Sequence, residues 1–135
     1  MGEIKFIDAN IFLELMLDDI NADKCKNLFY QLKNTEIEAK TSDFIIYTCL
    51  LQIQNKLKSV DAMMKFILFL NEIKGLMIMK PSISEIYNSL ILAKKYKLNF
   101  DDSLVVSIML RYNMKKLISF DKHFDKVKII NREEP

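Results

Sequence analysis

The strongest constraint on this chain is a rhythm of five short apolar runs, at 4–7, 37–41, 76–79, 117–118 and 127–130. Stretches in which apolar residues recur at helical spacing separate the first four. Runs this short read as strands and the longer periodic stretches as helices. Strands alternating with helices predict an α/β domain with a parallel sheet covered on both faces by crossovers. The predicted helices cover 11–17, with Asn10 as cap, and a stretch through Cys25, Leu28, Phe29 and Leu32 that ends near Asn34. A third covers 44–57 behind Ser42 or Asp43, and a fourth 60–73. Ser82-Ile83-Ser84-Glu85 has the spacing of a capping box and opens a fifth, with Ile83, Ile86, Tyr87, Leu90, Ile91 and Leu98 along one face. Asp101-Asp102-Ser103 opens the sixth, with Leu104, Val105, Ile108, Met109 and Tyr112 as its apolar positions.

Several chemistries are excluded by scarcity. The only glycines are Gly2 and Gly75, so no glycine-rich phosphate loop exists. A single histidine, His123, rules out multi-histidine metal sites and reads as a surface residue first and a nucleic-acid contact second. Cys25 and Cys49 stand far apart, outside any paired motif, which fits two small core residues in a reduced, cytoplasmic protein. The start Met1-Gly2-Glu3-Ile4 has no basic region leading into a cleavable apolar segment, and Phe6 stands where a myristoylation motif wants Ser or Thr. The apolar patch at 62–70 is interrupted by Lys65 and falls short of the about 20 residues a bilayer requires, so no membrane association is expected. At 135 residues the chain reads as one domain, 1–135. A net charge of +2 permits a nucleic-acid partner without demanding one.

Carboxylates are what remains. Ile4 to Ile7 delivers Asp8 to the carboxyl end of a strand, Lys116 to Ser119 leads to Asp121, and Asp102 lies in the first turn of a predicted helix. Ligands of open parallel sheets bind at the carboxyl ends of the strands. An isolated Asp at such a place is more often a cap or turn residue than a ligand. Three acids converging there would repel one another until a cation relieved them, and Mg²⁺ or Mn²⁺ prefers such oxygen ligands.

These residues carry a resemblance. Phe6-Ile7-Asp8-Ala9-Asn10-Ile11-Phe12 resembles the opening motif of PIN-domain nucleases, among them VapC-like toxins of toxin–antitoxin pairs. Phe100-Asp101-Asp102-Ser103-Leu104 resembles that family's third-acid motif, and Ile118-Ser119-Phe120-Asp121-Lys122-His123-Phe124 its close. The motifs occur in the family's order and span nearly the whole chain. The resemblance implies a three-layer α/β/α PIN-like domain around a roughly five-stranded parallel sheet, and a Mg²⁺- or Mn²⁺-dependent ribonuclease acting on RNA. It also implies a homodimer and a small antitoxin partner. By position, Asp8, Asp102 and Asp121 match the family's catalytic and metal-binding acids, Asn10 matches the residue that supports the first, and Asp101 replaces Asp102 if the register slips by one.

The chain departs from the pattern once. The family places a Glu six residues after the Ser of the second strand, and here that position is Thr48. Its hydroxyl can hold a water but supplies no charge, and that favours a competing reading: a PIN-like module that binds RNA or protein without cutting. A magnesium-dependent phosphatase or receiver-like domain with Asp8 as nucleophile is disfavoured, because Asn10 stands where such a site needs a second Asp. The surplus of Met63, Met64, Phe66, Phe69 and Leu70 in the fourth predicted helix points to a surface covered by a second subunit.

Overall fold

A computed structural model describes residues 3–135; the reading made on Met1-Gly2 lies outside the described residues. The strands are β1 (Lys5–Ile7), β2 (Ala39–Ser42), β3 (Leu76–Met79), β4 (Lys116–Ile118) and β5 (Asn131–Glu133). The helices are α1 (Ala9–Met16), α2 (Ala22–Lys33), α3 (Asp43–Leu57), α4 (Val60–Glu72), α5 (Ile83–Tyr96) and α6 (Phe100–Arg111), with a 3-10 turn at Lys122–Lys126. All strand pairs are parallel, in the order β3-β2-β1-β4-β5. The chain steps outward from β1 through β2 to β3, then returns to the other side of β1 as β4 and β5. The strand order therefore reverses between β1 and β4, and the crevice outside their carboxyl ends is where a sheet of this kind offers a binding site.

The core forms where the sequence periodicity is strongest. Phe6, Ile7, Leu117 and Ile118 of the central strands are buried, as are Phe12, Phe29 and Phe66 from three different helices. Phe12 packs against Phe29 and Phe66 with ring centroids 5.3 and 6.0 Å apart. Helix α6 is buried from Ser103 to Met109, as a helix pressed between a sheet and a neighbouring helix must be. Gly75 precedes β3 where the backbone closes on itself: a Cβ there would stand 2.5 Å from the Ile37 carbonyl oxygen and 2.8 Å from that of Leu32.

Four expectations are corrected. Helix α1 begins at Ala9 rather than Ile11, and its cap is Asp8 rather than Asn10, because the Asp8 carboxylate accepts a hydrogen bond from the Ala9 amide. The fifth strand is Asn131–Glu133, not 127–130: Val127 and Ile130 are buried, but as anchors of a turn, with the Ile130 amide donating to the Val127 carbonyl. The ladder to β4 starts only at Asn131, and an edge strand of polar residues carries no hydrophobic alternation to read.

Helix α5 turns most of its apolar stripe outward, although Ile86 packs partly against the core and Leu98, beyond the helix, is buried. Ile83, Tyr87, Leu90 and Ile91 are exposed, while Glu85 and Ser89 are buried. The cause is its packing against α6, where Ser107 donates to the Glu85 carbonyl at 2.7 Å. In α4, Phe66 belongs to the core and Phe69 packs edge-on against Phe29, so the apolar surface left outside is Val60, Met64, Ile67 and Leu68. Among the described residues, no helix is long and apolar enough to cross a membrane.

Candidate metal centre

At the end of β1 the Asp8 amide donates to the Ile118 carbonyl at 3.1 Å, which extends the pairing with β4 by one residue and fixes the acid at the crevice. Asp8 is 7 % exposed. Its Oδ1 accepts from the Ala9 amide at 2.8 Å, and its Oδ2 accepts from Ser119 Oγ at 2.7 Å and Asn10 Nδ2 at 3.3 Å. Burial pushes the carboxyl above the usual range, against the pull of the Ser119 and Ala9 hydrogen bonds, and the charges of Asp121 and Asp101 push the same way as burial.

Ser119 joins the two strand ends. Fully buried, its hydroxyl donates to Asp8 and accepts from the Asp121 amide at 3.0 Å and from Asn10 Nδ2 at 3.1 Å. Asn10 completes the frame, its Oδ1 accepting from the Phe120 amide at 3.1 Å. The Ser119 hydroxyl and the Asn10 side-chain amide are thus turned on the segments that carry Asp8 and Asp121. In the sequence Ser119 stands inside the closing motif with nothing that marks it as a site residue beyond a small hydroxyl directly after a buried strand.

Asp102 sits half-buried in the first turn of α6. Burial first, and then the charges of Asp101, Asp121 and Asp8, together raise its carboxyl to about 7, while His123 opposes them. Asp101 is exposed and its Oδ1 accepts from the Asp102 amide at 2.9 Å, so it serves its own helix end and acts on the crevice through its charge. Asp121 caps the 3-10 turn, accepting from the His123 amide at 2.9 Å. The ring of His123 folds back over the same acid, with Nδ1 3.0 Å from Asp121 Oδ1. Oxygen or nitrogen atoms of Asp102, Asp121 and His123 all lie within 4.8 Å of one another. Asp8 stands outside that trio and is buried, and its charge reaches Asp102.

This donor set fits a divalent cation. Two carboxylates and an imidazole offer the ligand types such ions take, and the charges of Asp101, Asp121 and Asp8, which add to burial in raising Asp102, make a negative field that a cation relieves. Thr48 adds nothing to that field: its hydroxyl donates to the Phe44 carbonyl of its own helix at 2.9 Å. The next residue, Cys49, brings α3 against the site, with its sulfur 3.7 Å from the Ala9 carbonyl oxygen and its thiol pushed up by burial and by the charge of Asp8. A cavity of about 750 Å³ opens elsewhere, lined among others by Lys5, Lys24, Gln31, Glu36 and Glu133. None of the three acids lines it, and its mixed charges select no phosphate.

A family model described as PIN domain matches residues 5–130 of the chain. No curated protein matches the chain by sequence. Among solved structures, VapC20 of Mycobacterium tuberculosis, a toxin that cleaves the sarcin-ricin loop, superposes with a TM-score of 0.81 at 12% identity, over 97% of this chain and 99% of that one. VapBC2 from Rickettsia felis, bound to a DNA fragment from its promoter, gives 0.73 at 16% identity, over 97% and 98%. A toxin–antitoxin complex from Klebsiella pneumoniae gives 0.72 at 14% identity, over 97% and 99%. At such identities the likeness is one of fold.

Proposed function

This chain belongs to the PIN domain family, and from that premise we propose that it is a divalent-metal-dependent endoribonuclease, the toxin of a toxin–antitoxin pair. The observation that carries the reading is the meeting of Asp102 and Asp121 within 4.8 Å at the point where the strand order reverses, within reach of the charge of the buried Asp8. Asp102 and Asp121 hold the ion, Mg²⁺ or Mn²⁺, and Asp8 holds the field behind them. Such an ion supplies Lewis-acid stabilisation of charge developing on a phosphodiester and a lowered pKa for an attacking water. Asn10 and Ser119 tie the two strand ends together and so fix Asp8 and Asp121 relative to one another.

The rim suits an RNA backbone. Lys126 Nζ donates to the Lys97 carbonyl at 2.9 Å and so draws the turn after Asp121 against the segment that leads to Asp102. Exposed Lys94, Lys95, Lys97 and Lys122 lie in the same two segments, where they attract phosphates to an acidic centre. Phe100, half exposed beside Asp101, offers a ring on which an unpaired base stacks. An RNA substrate places the protein in the cytoplasm. Two exposed apolar surfaces, Tyr47, Leu51, Met64 and Leu68 on α3 and α4 and Ile83 and Tyr87 on α5, suit a second subunit and an antitoxin segment.

Thr48 favours one other reading, a PIN module that binds RNA without cutting it. Incubation of the purified protein with end-labelled single-stranded RNA decides between them. The nuclease reading expects cleavage in Mn²⁺ or Mg²⁺, none in EDTA, and a loss of about 100-fold or more in Asp8→Asn. Intact RNA retained by a metal-loaded wild type hands the chain to the binding reading.

A further inference from the structure

We infer that His123 is a nitrogen ligand of the metal centre, standing in for the carboxylate that the family places at Thr48, and that it tips the site from Mg²⁺ toward Mn²⁺. The inference rests on the metal-dependent reading above and concerns which ion the site takes. The side chain is exposed, as the sequence suggested, yet its position is not left to solvent. The backbone of His123 is fixed from both sides: its amide donates to Asp121 Oδ1 at 2.9 Å, and the adjacent Phe124 is fully buried. That turn sets the ring over Asp121, with Nδ1 3.0 Å from Oδ1, and the same nitrogen-bearing ring is grouped with Asp102.

The span is close to what one ion requires. Ligands bonded at about 2.1 Å stand at most about 4.2 Å apart across a metal, and the three donor atoms lie within 4.8 Å. The remaining difference is small, and an exposed imidazole closes it by rotating about its own bonds. What it contributes there is chemical rather than electrostatic. Thr48 leaves the site one negative oxygen short, which weakens it for an ion that wants oxygen ligands only. An imidazole restores the lost ligand without restoring the charge, and first-row divalent ions gain from nitrogen where Mg²⁺ does not. Two carboxylates and one imidazole therefore favour Mn²⁺, which accepts both donor types.

The chain makes the test clean, because His123 is its only histidine. In tag-free protein, any imidazole nitrogen found on the metal belongs to it. Pulsed electron paramagnetic resonance of the Mn²⁺-loaded wild type should show the nitrogen modulation of a directly bound imidazole, and His123→Ala should lose it. By calorimetry the wild type should bind Mn²⁺ about tenfold tighter than Mg²⁺; His123→Ala should lose about tenfold for Mn²⁺ and less than about twofold for Mg²⁺. Circular dichroism of the variant should match the wild type, since the ring removed is a surface one. Nitrogen modulation absent from the wild type, or Mn²⁺ and Mg²⁺ affinities that fall equally in His123→Ala, overturns the inference and leaves His123 as a residue that merely positions Asp121. Asp121→Asn separates the two levels: if it binds metal as tightly as the wild type, the metal-dependent reading fails as well.

Discussion

Removing the charge of Asp102 should stabilise the metal-free protein, although it removes a proposed ligand. The acid is raised from 3.8 to about 7 because it is partly desolvated and faces Asp101, Asp121 and Asp8. Its folded-state value thus lies above its unfolded value. The stability gained from holding that proton is fully present below about pH 4 and is lost as pH rises through about 7. At about 1.4 kcal/mol per pH unit the interval from 3.8 to about 7 sets an upper bound of ~4 kcal/mol. Asp102 is only half-buried, and the α6 N-terminus favours its charge, so solvent screening and the helix reduce that to roughly 1–2 kcal/mol at pH 8. Asp102→Asn, neutral at every pH, should therefore gain roughly 1–2 kcal/mol over the wild type in EDTA at pH 8, or roughly 3–8 °C in Tm. At pH 5 the gain should shrink to about a third. The chain has no Trp, so urea unfolding is followed by far-ultraviolet circular dichroism. Saturating Mn²⁺ should reverse the order at pH 8, because an ion at about 100 times its Kd stabilises the wild type by ~2.7 kcal/mol and the variant by less. A variant less stable than wild type at pH 8 in EDTA, or a gain equal at pH 5 and pH 8, refutes the reasoning.

Ser119→Ala leaves the buried Asp8 carboxylate and the Asp121 amide without their shared partner. It should cost about 2 kcal/mol in urea melts and weaken Mn²⁺ binding, which calorimetry reads. Thr48→Glu should tighten divalent binding and raise RNA cleavage in Mn²⁺, and Asp8→Asn in the same background should abolish the gain; no change in either quantity means that the three acids and their frame suffice. Gly75→Ala should cost about 2 kcal/mol or more, since the new Cβ meets backbone oxygens at 2.5 and 2.8 Å that no side-chain rotation can move; an unchanged urea midpoint would show that the segment before β3 yields.

The parts of the fold legible in the sequence are those where one physical signal acts alone. Ile4 to Ile7 announces a buried strand because nothing else makes a short apolar run stop on an acid, and Ser82-Ile83-Ser84-Glu85 announces α5 because its hydroxyl caps the Glu85 amide. The failures lie where a second interaction overrides the local one. Asn10 is a good cap by type, but its amide is claimed by Ser119 and Phe120 far along the chain, and Asp8 takes the cap instead. The stripe of Ile83, Tyr87 and Ile91 has the spacing of a core face, yet the side that is buried is that of Glu85 and Ser89, where Ser107 of α6 bonds the Glu85 carbonyl. β5 was misplaced because an edge strand held by the Lys5–Glu133 and Arg132–Asp125 ion pairs needs no apolar pattern. In the site, the positions of Asp8 and Asp121 were legible from the strands that precede them, and that of Asp102 from the helix it opens. The approach of the His123 ring to Asp121 and Asp102 was not, because it depends on the path of one 3-10 turn.

The measurement that tests the central claim most directly is an anomalous difference map from crystals of the wild type grown with Mn²⁺ and collected at the manganese edge. The account predicts one strong peak in the crevice between β1 and β4, within about 2.2 Å of carboxylate oxygens of both Asp102 and Asp121. A map with no peak there at saturating Mn²⁺, or with the ion on other surface acids, contradicts it.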